Sequence, residues 1–323
     1  MSPIVSFIVS AIGLGMTLLY GSTGETLTEK SGHLNLGIPG VMCVGAACGC
    51  FAESVYFAAV GIKGTIPVLA VLIPMLATFL GGALCGLIFS FLTVTLRANQ
   101  NVTGLALTTF GVGVSEYIIA QADVVGPFVR GNKYFKASLP FADDLGWFGE
   151  IFLSHGILIY LSIAVALAVT FFLNRTRVGL NLRAVGENPA TADAAGINVS
   201  LYRYLATCIG CGIAGLGGLT FIMDYLNGTW EYMIDDLGWL AVALVIFTVW
   251  KPNLGIIGSF IFGALYVASS FFAKYGISLS DQELFKMLPY LVTIIVLIIT
   301  SARSRKKNQP PAALGLPYFR EER

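Results

Sequence analysis

The chain has 323 residues, of which 56% are hydrophobic and only 11% are charged, and its mean hydropathy is +0.80. A soluble domain carries about 25% charged residues, so the composition excludes an ordinary soluble protein and indicates a membrane protein. The net charge of +1 indicates no particular class of partner.

Long apolar runs predict an all-α fold, a polytopic transmembrane helical bundle of about eight to ten spans. A helix needs roughly 20 apolar residues to cross a hydrocarbon core of ~30 Å. The first run has no basic stretch before it and no AxA-like site after it, so it is predicted to be a retained helix and not a signal peptide. The predicted spans are 4–21, 39–60, 66–96, 102–122, 152–173, 201–224, 237–250, 254–273 and 287–302.

The positions of lysine and arginine predict the orientation, because cytoplasmic loops carry an excess of both. Thirteen of the 19 basic residues, among them Lys30, Arg183 and Arg203, then lie inside and six outside. The N-terminus and the loop 123–150 are predicted to lie outside. The short segment 237–250 is kept as a crossing so that the C-terminus lies inside. The predicted organisation is a membrane domain over 1–302, containing a polar cytoplasmic segment at 174–199, and a cytoplasmic tail at 303–323.

Two features of the predicted helices suggest a working interior. Pro67 and Pro74 lie in one long apolar run, which predicts a kinked or broken helix. Small residues cluster at 81–86 and at 210–218, and such residues let helix backbones approach closely. The two clusters could occupy corresponding positions in two halves of a repeated architecture.

No catalytic motif stands out. The GxGxxG at 210–215 lies in an apolar helix, not between a strand and a helix, so it does not indicate a dinucleotide site. There is no GxxxxGK[ST], HExxH or GxSxG, and only two histidines. The six cysteines lie in apolar segments without metal-ligand spacing. The sequence therefore predicts a protein that is not an enzyme and holds no metal or cofactor.

The first polar segment between two spans, residues 24–40, allows two interpretations. A solvated loop would explain its charges. Alternatively, the stretch that contains His33, Asn35 and Gly37 re-enters the bundle and lines a pathway, where irregular backbone can hydrogen-bond a polar ligand.

Further polar residues fall inside a predicted span, where they are functional candidates. These are Asn99, Gln100, Asn101, Thr103, Thr108, Thr109, Ser115 and Glu116. A proton-coupled carrier would need a deeply placed acid such as Glu116. The alternative is that Glu116 lies near the outer end of its helix and faces water or a neighbouring group.

The polar stretch 174–199 is too long and too hydrophilic to be a simple connection in so apolar a chain, and it predicts a surface for another protein. Asn188 can cap a helix and Pro189 suits its first turn. The small residues that follow permit close approach by a partner.

Three segments resemble a known transporter family. EKSGHLNLGIPGVM at 29–42 resembles the EKSGxLNLGxEGxM segment of nucleoside-type permeases in ABC importers linked to basic membrane proteins. These permeases belong to the ribose and branched-chain amino acid permease superfamily. RTRVGLNLRAVGENPATADAAGI at 175–197 resembles the family's RTxxGLxLRAVGENPxAAxxAGI, and 212–218 resembles its AGLGG stretch. Pro39 stands where the family usually has Glu, which puts the shared substrate in doubt.

The resemblance implies an ABC importer permease fold in the bacterial cytoplasmic (inner) membrane. It implies transport of a nucleoside delivered by an extracytoplasmic binding lipoprotein. ATP would be bound by separate ATPase subunits, and a second, similar permease would complete a heterodimer. A ribose-like sugar, another small metabolite, or a self-sufficient proton-coupled carrier remain alternatives. The implied substrate-pathway residues are His33, Asn35, Gly37, Asn99, Asn101, Thr103 and Thr108. The implied ATPase-coupling residues are Arg183, Gly186, Glu187, Asn188, Pro189, Ala190 and Asp193.

Overall fold

The computed structural model describes residues 2–61, 64–122, 127–136, 145–273, 279–302 and 309–320, and within them the chain is helical without strands. The helices are α1 (Pro3–Glu29), α2 (Ile38–Val60), α3 (Pro67–Ser90), α4 (Gln100–Gln121), α5 (Pro127–Phe135), α6 (Gly146–Phe152), α7 (Ile157–Arg175), α8 (Arg177–Glu187), α9 (Pro189–Ala194), α10 (Val199–Thr220), α11 (Ile234–Phe247), α12 (Pro252–Ala273) and α13 (Leu279–Ala302).

Seven helices in the described residues are long and apolar enough to cross a membrane, namely α1, α2, α3, α4, α7, α10 and α12. They correspond to seven of the nine predicted spans. The other two predicted spans are α11, which has only 14 residues, and α13, whose described apolar part is 287–299. A 14-residue helix rises about 21 Å, which is shorter than the hydrocarbon core.

The centre of the bundle is formed by α10, α2 and α1. In the most apolar stretch of each helix, 83% of the residues are buried in α10 and 72% in α2, but only 33% in α3 and in α7. Glycines make this packing close. A Cβ placed on Gly45 would lie 2.6 Å from the Cα of Gly215, and one on Gly86 would lie 2.8 Å from the carbonyl oxygen of Thr207. The predicted role of the small-residue clusters in helix packing is therefore confirmed.

The prolines of α3 do not break it. Pro67 begins the helix and Pro74 lies inside an uninterrupted helix, so of the two predicted outcomes, a kink or a break, the break is wrong. The irregularity comes instead at the end, where residues 91–95 form a π turn. The end of α10 forms the same kind of turn at 221–225. Arg97 and Asn227 follow these turns with φ of 57° and 58°, as expected if α3 and α10 correspond.

The described contacts separate two faces of the bundle. On one face, residues 309–320 contact the α1–α2 connection, α8 and the first turns of α10. This agrees with the prediction that Lys30, Arg183 and Arg203 lie on the side of the C-terminus. On the opposite face, the Lys136 ammonium donates to Asn227 Oδ1 at 2.5 Å. Much of the predicted outer loop 123–150, and residues 303–308 of the tail, lie outside the described residues.

Candidate functional site

The connection between α1 and α2, residues 30–37, closes inside the protein. His33 and Asn35 are both 0% exposed, and Gly32 adopts a left-handed conformation with φ of 86°. A solvated loop was one of the two interpretations of this segment, and burial of its polar side chains shows that interpretation to be wrong. We call residues 30–37 the buried loop.

Asn35 organises the buried loop by three hydrogen bonds. Its backbone N–H donates to Glu25 Oε1 at 3.1 Å, and its Nδ2 donates to Cys211 Sγ at 3.3 Å. Its Oδ1 accepts from the Gly37 N–H at 2.9 Å, which is an Asx turn. Asn35 thus joins α1 and α10 and fixes the start of α2.

His33 fixes the loop against two other helices. Its Nδ1 lies 3.0 Å from Thr207 Oγ1, and its ring meets the edge of Phe89 at a centroid distance of 5.8 Å. Burial lowers the pKa of His33 well below its usual value, and the charge of Arg203 lowers it further. His33 is therefore neutral at physiological pH and acts as a structural hydrogen-bonding group.

Two acids beneath the loop were missed as interior residues. Glu25 and Glu29 lie in the last turns of α1 and are 0% and 3% exposed. Glu29 accepts a hydrogen bond from the indole N–H of Trp250. The sequence contained an indication that both acids lie on α1. No proline between residues 4 and 29 interrupts the helix, and residues four apart share one face of a helix.

The N-terminal half of α4 is hydrogen-bonded to the buried loop. The Leu34 N–H donates to Gln100 Oε1 at 2.8 Å, and Thr108 Oγ1 donates to the Leu36 carbonyl at 2.9 Å. Asn99 caps α4 by accepting from the Val102 N–H at 3.1 Å. Gln100 is buried, as is Thr103. Gln100 was one of the polar candidates of this span but was not among the residues assigned to the substrate pathway.

Another face of α4 points away from the chain. The exposed residues on this face recur every three or four positions, so they form one line along the helix. We call this line the α4 stripe; it comprises Asn101, Leu105, Thr109, Gly113 and Glu116. Glu116 is on the surface of the described chain and not in the interior of its helix bundle.

The structure therefore divides the predicted pathway residues into two groups. His33, Asn35, Gly37 and Thr103 are buried, and Thr108 is half-buried. Asn99 and Asn101 are exposed. The two groups are linked through Thr108 and Gln100, which bond the buried loop to α4.

The polar stretch between α7 and α10 forms the two short helices α8 and α9. Asn188 caps α9, accepting from the Thr191 N–H at 3.0 Å, and Pro189 is the first residue of the helix. The predicted capping is thus confirmed. Glu187, Asn188 and Ala190 are exposed, Arg183, Pro189 and Asp193 are half-buried, and Gly186 is buried. We call residues 177–194 the coupling segment.

A basic cavity of about 560 Å³ adjoins the coupling segment and includes Lys30, Arg183, Glu187 and Lys251 in its lining. Burial lowers the pKa of Lys30; Glu187 acts in the opposite direction, and Arg183 and Lys251 reinforce the lowering. The cavity therefore presents clustered positive charge beside an exposed helix junction, which suits contact with an acidic surface.

The described part of the tail, residues 309–320, folds back over this face, and we call it the C-terminal strap. The Ala313 N–H donates to the Gly186 carbonyl at 3.0 Å, and the Gly315 N–H donates to the Gly32 carbonyl at 3.1 Å. The sequence prediction treated the tail only as a separate cytoplasmic segment. Its one signal was the apolar and aromatic content of residues 310–319 after a basic run.

Comparison with known proteins gives a consistent result. A family model described as "Branched-chain amino acid transport system / permease component" matches residues 7–297. NupQ, the guanosine ABC transporter permease protein of Bacillus subtilis strain 168, is 30% identical over 99% of this chain and 98% of its own length. NupC, the nucleoside ABC transporter permease protein of Lactococcus lactis subsp. cremoris, is 29% identical over 94% of both chains. TsgC13 of Haloferax volcanii, a permease protein whose name refers to glucose ABC transport, is 30% identical over 94% of both chains.

Proposed function

The chain belongs to the family of branched-chain amino acid transport system permease components, and from this membership we propose that it is the permease subunit of a nucleoside ABC importer. It moves a nucleoside inward across the bacterial cytoplasmic membrane. The observation that carries the substrate is the similarity to NupQ and NupC over nearly the whole chain. The similarity to TsgC13 supports a sugar as the second candidate.

ATP is bound by partner ATPase subunits in this proposal. The absence of a GxxxxGK[ST] motif from the sequence agrees with an energy source outside the chain. The coupling segment is proposed to dock on the ATPase through the exposed α8–α9 junction formed by Glu187, Asn188, Pro189 and Ala190. Arg183 supplies charge beside the junction, and Gly186 and Asp193 hold it to the rest of the chain.

The α4 stripe supports a second permease as partner. An asparagine, a threonine and a glutamate along a membrane-spanning helix are costly against lipid, and their cost falls if they face a water-filled pathway between two subunits. We place the pathway along α4, bordered by Asn99, Asn101 and Thr108. In this arrangement His33, Asn35 and Gly37 support the wall from behind. A similar, non-identical permease makes the pair a heterodimer.

The nucleoside is delivered by a binding lipoprotein on the outer side, through loops that include 123–150. Within the bundle, few groups on the α4 stripe can hydrogen-bond a ribose or a base, so affinity is expected to reside mainly in the binding protein. The permease then offers a weakly binding path, as transport requires.

Uptake in proteoliposomes tests the proposal. Vesicles contain this chain, its sister permease, the ATPase and the binding protein, and radiolabelled guanosine, uridine and glucose are supplied with ATP inside or outside. ATP-dependent uptake of a nucleoside that unlabelled glucose does not inhibit is the expected result. Replacement of Glu187, Asn188 and Pro189 together by alanine is expected to abolish it.

Two results would contradict the proposal. Glucose uptake that excess nucleoside does not reduce would favour the sugar candidate. Uptake by this chain alone, driven by a proton gradient and lost in Glu116→Gln, would establish a self-sufficient carrier.

A further inference from the structure

The C-terminal strap joins two parts of the cytoplasmic face that are far apart in sequence. Its backbone bonds Gly186 at the end of α8 and Gly32 in the buried loop, through Ala313 and Gly315 at 3.0 and 3.1 Å. Both acceptors are backbone carbonyls of buried glycines. These contacts hold the strap by its main chain. A Cβ on Gly186 would lie too close to the Lys30 carbonyl oxygen, so a side chain at that position would clash.

The end of the strap binds the coupling segment at Asp193, and we call these contacts the grip. The Tyr318 hydroxyl donates to Asp193 Oδ2 at 2.7 Å, and Arg320 Nε lies 3.3 Å from the same oxygen. The Tyr318 ring packs against Val185, Ala192 and Val199. Since the Arg320 side chain is 74% exposed, the Tyr318 hydrogen bond and ring contact provide the stronger part of this grip.

The same end also reaches α4 and α10. The Leu316 carbonyl accepts from Gln100 Nε2 at 3.5 Å and from Arg203 Nη2 at 3.4 Å. Gln100 itself accepts from the Leu34 N–H of the buried loop. Arg97, just before α4, lies 4.9 Å above the Phe319 ring. One short segment thus contacts the coupling segment, the buried loop and the start of α4.

We propose that the C-terminal strap transmits movement of the coupling segment to the buried loop and the start of α4, with Tyr318 and Arg320 as positioning residues that act through Asp193. This proposal rests on the proposed function, because it takes the coupling segment as the part that an ATPase moves. The strap moves together with the coupling segment and pulls on Gly32 and Gln100, which border the wall of the pathway.

The opposite device would be an inhibitory latch, which holds the coupling segment until it is released. A transmitting strap and a latch predict opposite effects on transport when the strap contacts are lost. Loss of a transmitting strap lowers the number of substrate molecules moved per ATP hydrolysed. Loss of a latch leaves that number unchanged or raises uptake.

The test uses the complete importer in proteoliposomes and measures uptake and ATP hydrolysis in the same vesicles. The variant Tyr318→Phe with Arg320→Gln removes the hydroxyl and the charge that contact Asp193, while the ring contact and the rest of the strap are kept. Its uptake per ATP is expected to fall at least about five-fold, the lower end of ordinary coupling between two sites. Arg320→Lys with Tyr318 intact, which keeps the hydroxyl and a positive charge beside Asp193, is expected to restore the wild-type ratio.

Tyr204→Phe is the matched control, because it removes a hydroxyl that bonds Thr95 and not the strap. A second measurement, hydrogen exchange of residues 186–194 in the purified chain, is independent of transport. Exchange there is expected to quicken in the double variant and to stay unchanged in Tyr204→Phe.

The outcomes separate the two proposals. A wild-type complex without ATP-dependent uptake would defeat the proposed function, while faster exchange in the variant would still support the strap contacts. Active wild-type vesicles with an unchanged uptake-to-hydrolysis ratio in the double variant would overturn the transmitting role. Increased uptake in that variant would overturn it in favour of a latch.

Discussion

The buried loop and the α4 stripe both contain polar residues, but those of the loop are buried and those of the stripe are exposed. In the buried loop, Asn35 and His33 are fully enclosed and bonded to groups of the same chain. Along the α4 stripe, Asn101 and Glu116 are exposed on a helix that is long and apolar enough to cross a membrane. The first region takes its hydrogen bonds from the chain's own fold, although His33 Nε2 and Glu25 Oε2 are buried without a hydrogen-bond partner among the described residues. The second region presents its polar groups outward.

Because of this difference, substitutions in the buried loop and on the α4 stripe should affect different properties of the protein. A buried polar group that loses its partner costs about 1–3 kcal/mol, so changes in the buried loop should first alter folding. Exposed groups contribute little to the free energy of unfolding, so changes on the α4 stripe should alter assembly or transport. The four predictions that follow test this separation.

The largest effect is expected for glycine on the two faces of α4. A Cβ on Gly111 would lie 2.6 Å from the backbone oxygen of Gly40, whereas one on Gly113 would meet nothing within 4 Å. Gly111→Val should therefore destabilise the purified chain by about 3 kcal/mol, at the upper end for overpacking. Gly113→Val should change the free energy of unfolding by less than about 0.5 kcal/mol, while weakening association with the second permease.

Unfolding of both variants in detergent, followed by co-purification with the sister subunit, measures the two effects. Equal destabilisation by both substitutions would show that the α4 stripe is covered by the chain itself.

The second prediction compares asparagines. Asn35→Ala leaves the Gly37 N–H without its acceptor and should cost about 2 kcal/mol of stability. Asn101→Ala should leave the free energy of unfolding within about 0.5 kcal/mol of wild type but reduce uptake by the complete importer. Normal uptake by well-expressed Asn101→Ala would remove that residue from the pathway.

The third prediction concerns pH. Because burial lowers the pKa of His33, the unfolded chain binds a proton below pH ~6.5 that the folded chain excludes. Stability should then fall as pH drops below this value, by up to about 1.4 kcal/mol per pH unit, until the folded pKa is reached. Burial also lowers the pKa of His155, so the comparison is made in a His155→Gln background.

In that background, adding His33→Gln should flatten the dependence of the unfolding free energy on pH between 5 and 6.5. A slope that His33→Gln leaves unchanged would mean that the buried loop opens to water in the folded protein.

The smallest effect is expected at Thr108, one of the two described α4 residues that bond the buried loop. Thr108→Val removes the hydrogen bond to the Leu36 carbonyl with little change of shape and should cost about 1 kcal/mol. Thr109→Val, whose hydroxyl bonds only the Leu105 carbonyl of its own helix, is the control and should cost less. Identical stabilities in thermal unfolding would show that the Thr108 hydrogen bond does not stabilise the buried loop.

The sequence alone was sufficient for several local features. Continuous apolar runs marked seven of the spanning helices, because a helix that faces lipid must be apolar along its length. The Asn188–Pro189 pair marked the start of α9, because helix capping depends on adjacent residues. The family was identified from contiguous motifs in the same way.

Only the tertiary structure decided which polar residues lie inside. Glu25 and Glu29 belong to a segment whose sequence fits either a solvated loop or a re-entrant stretch. In the structure, α1 continues through both residues, and Glu29 accepts a hydrogen bond from Trp250. Glu116 lies within an apolar span, yet it faces outward, because α4 lies at the surface of the described bundle. Burial depends on which helices pack together, and local pattern does not contain that information.

The C-terminal strap shows the same limit most clearly. Its composition predicts an ordinary tail, but its backbone pairs with Gly186 and Gly32, which lie in two other parts of the chain. Local sequence determined the helices, their caps and the family, since these depend on residues that are neighbours along the chain. The buried loop, the α4 stripe and the strap depend on hydrogen bonds and packing between distant residues, which are fixed only when the whole chain has folded.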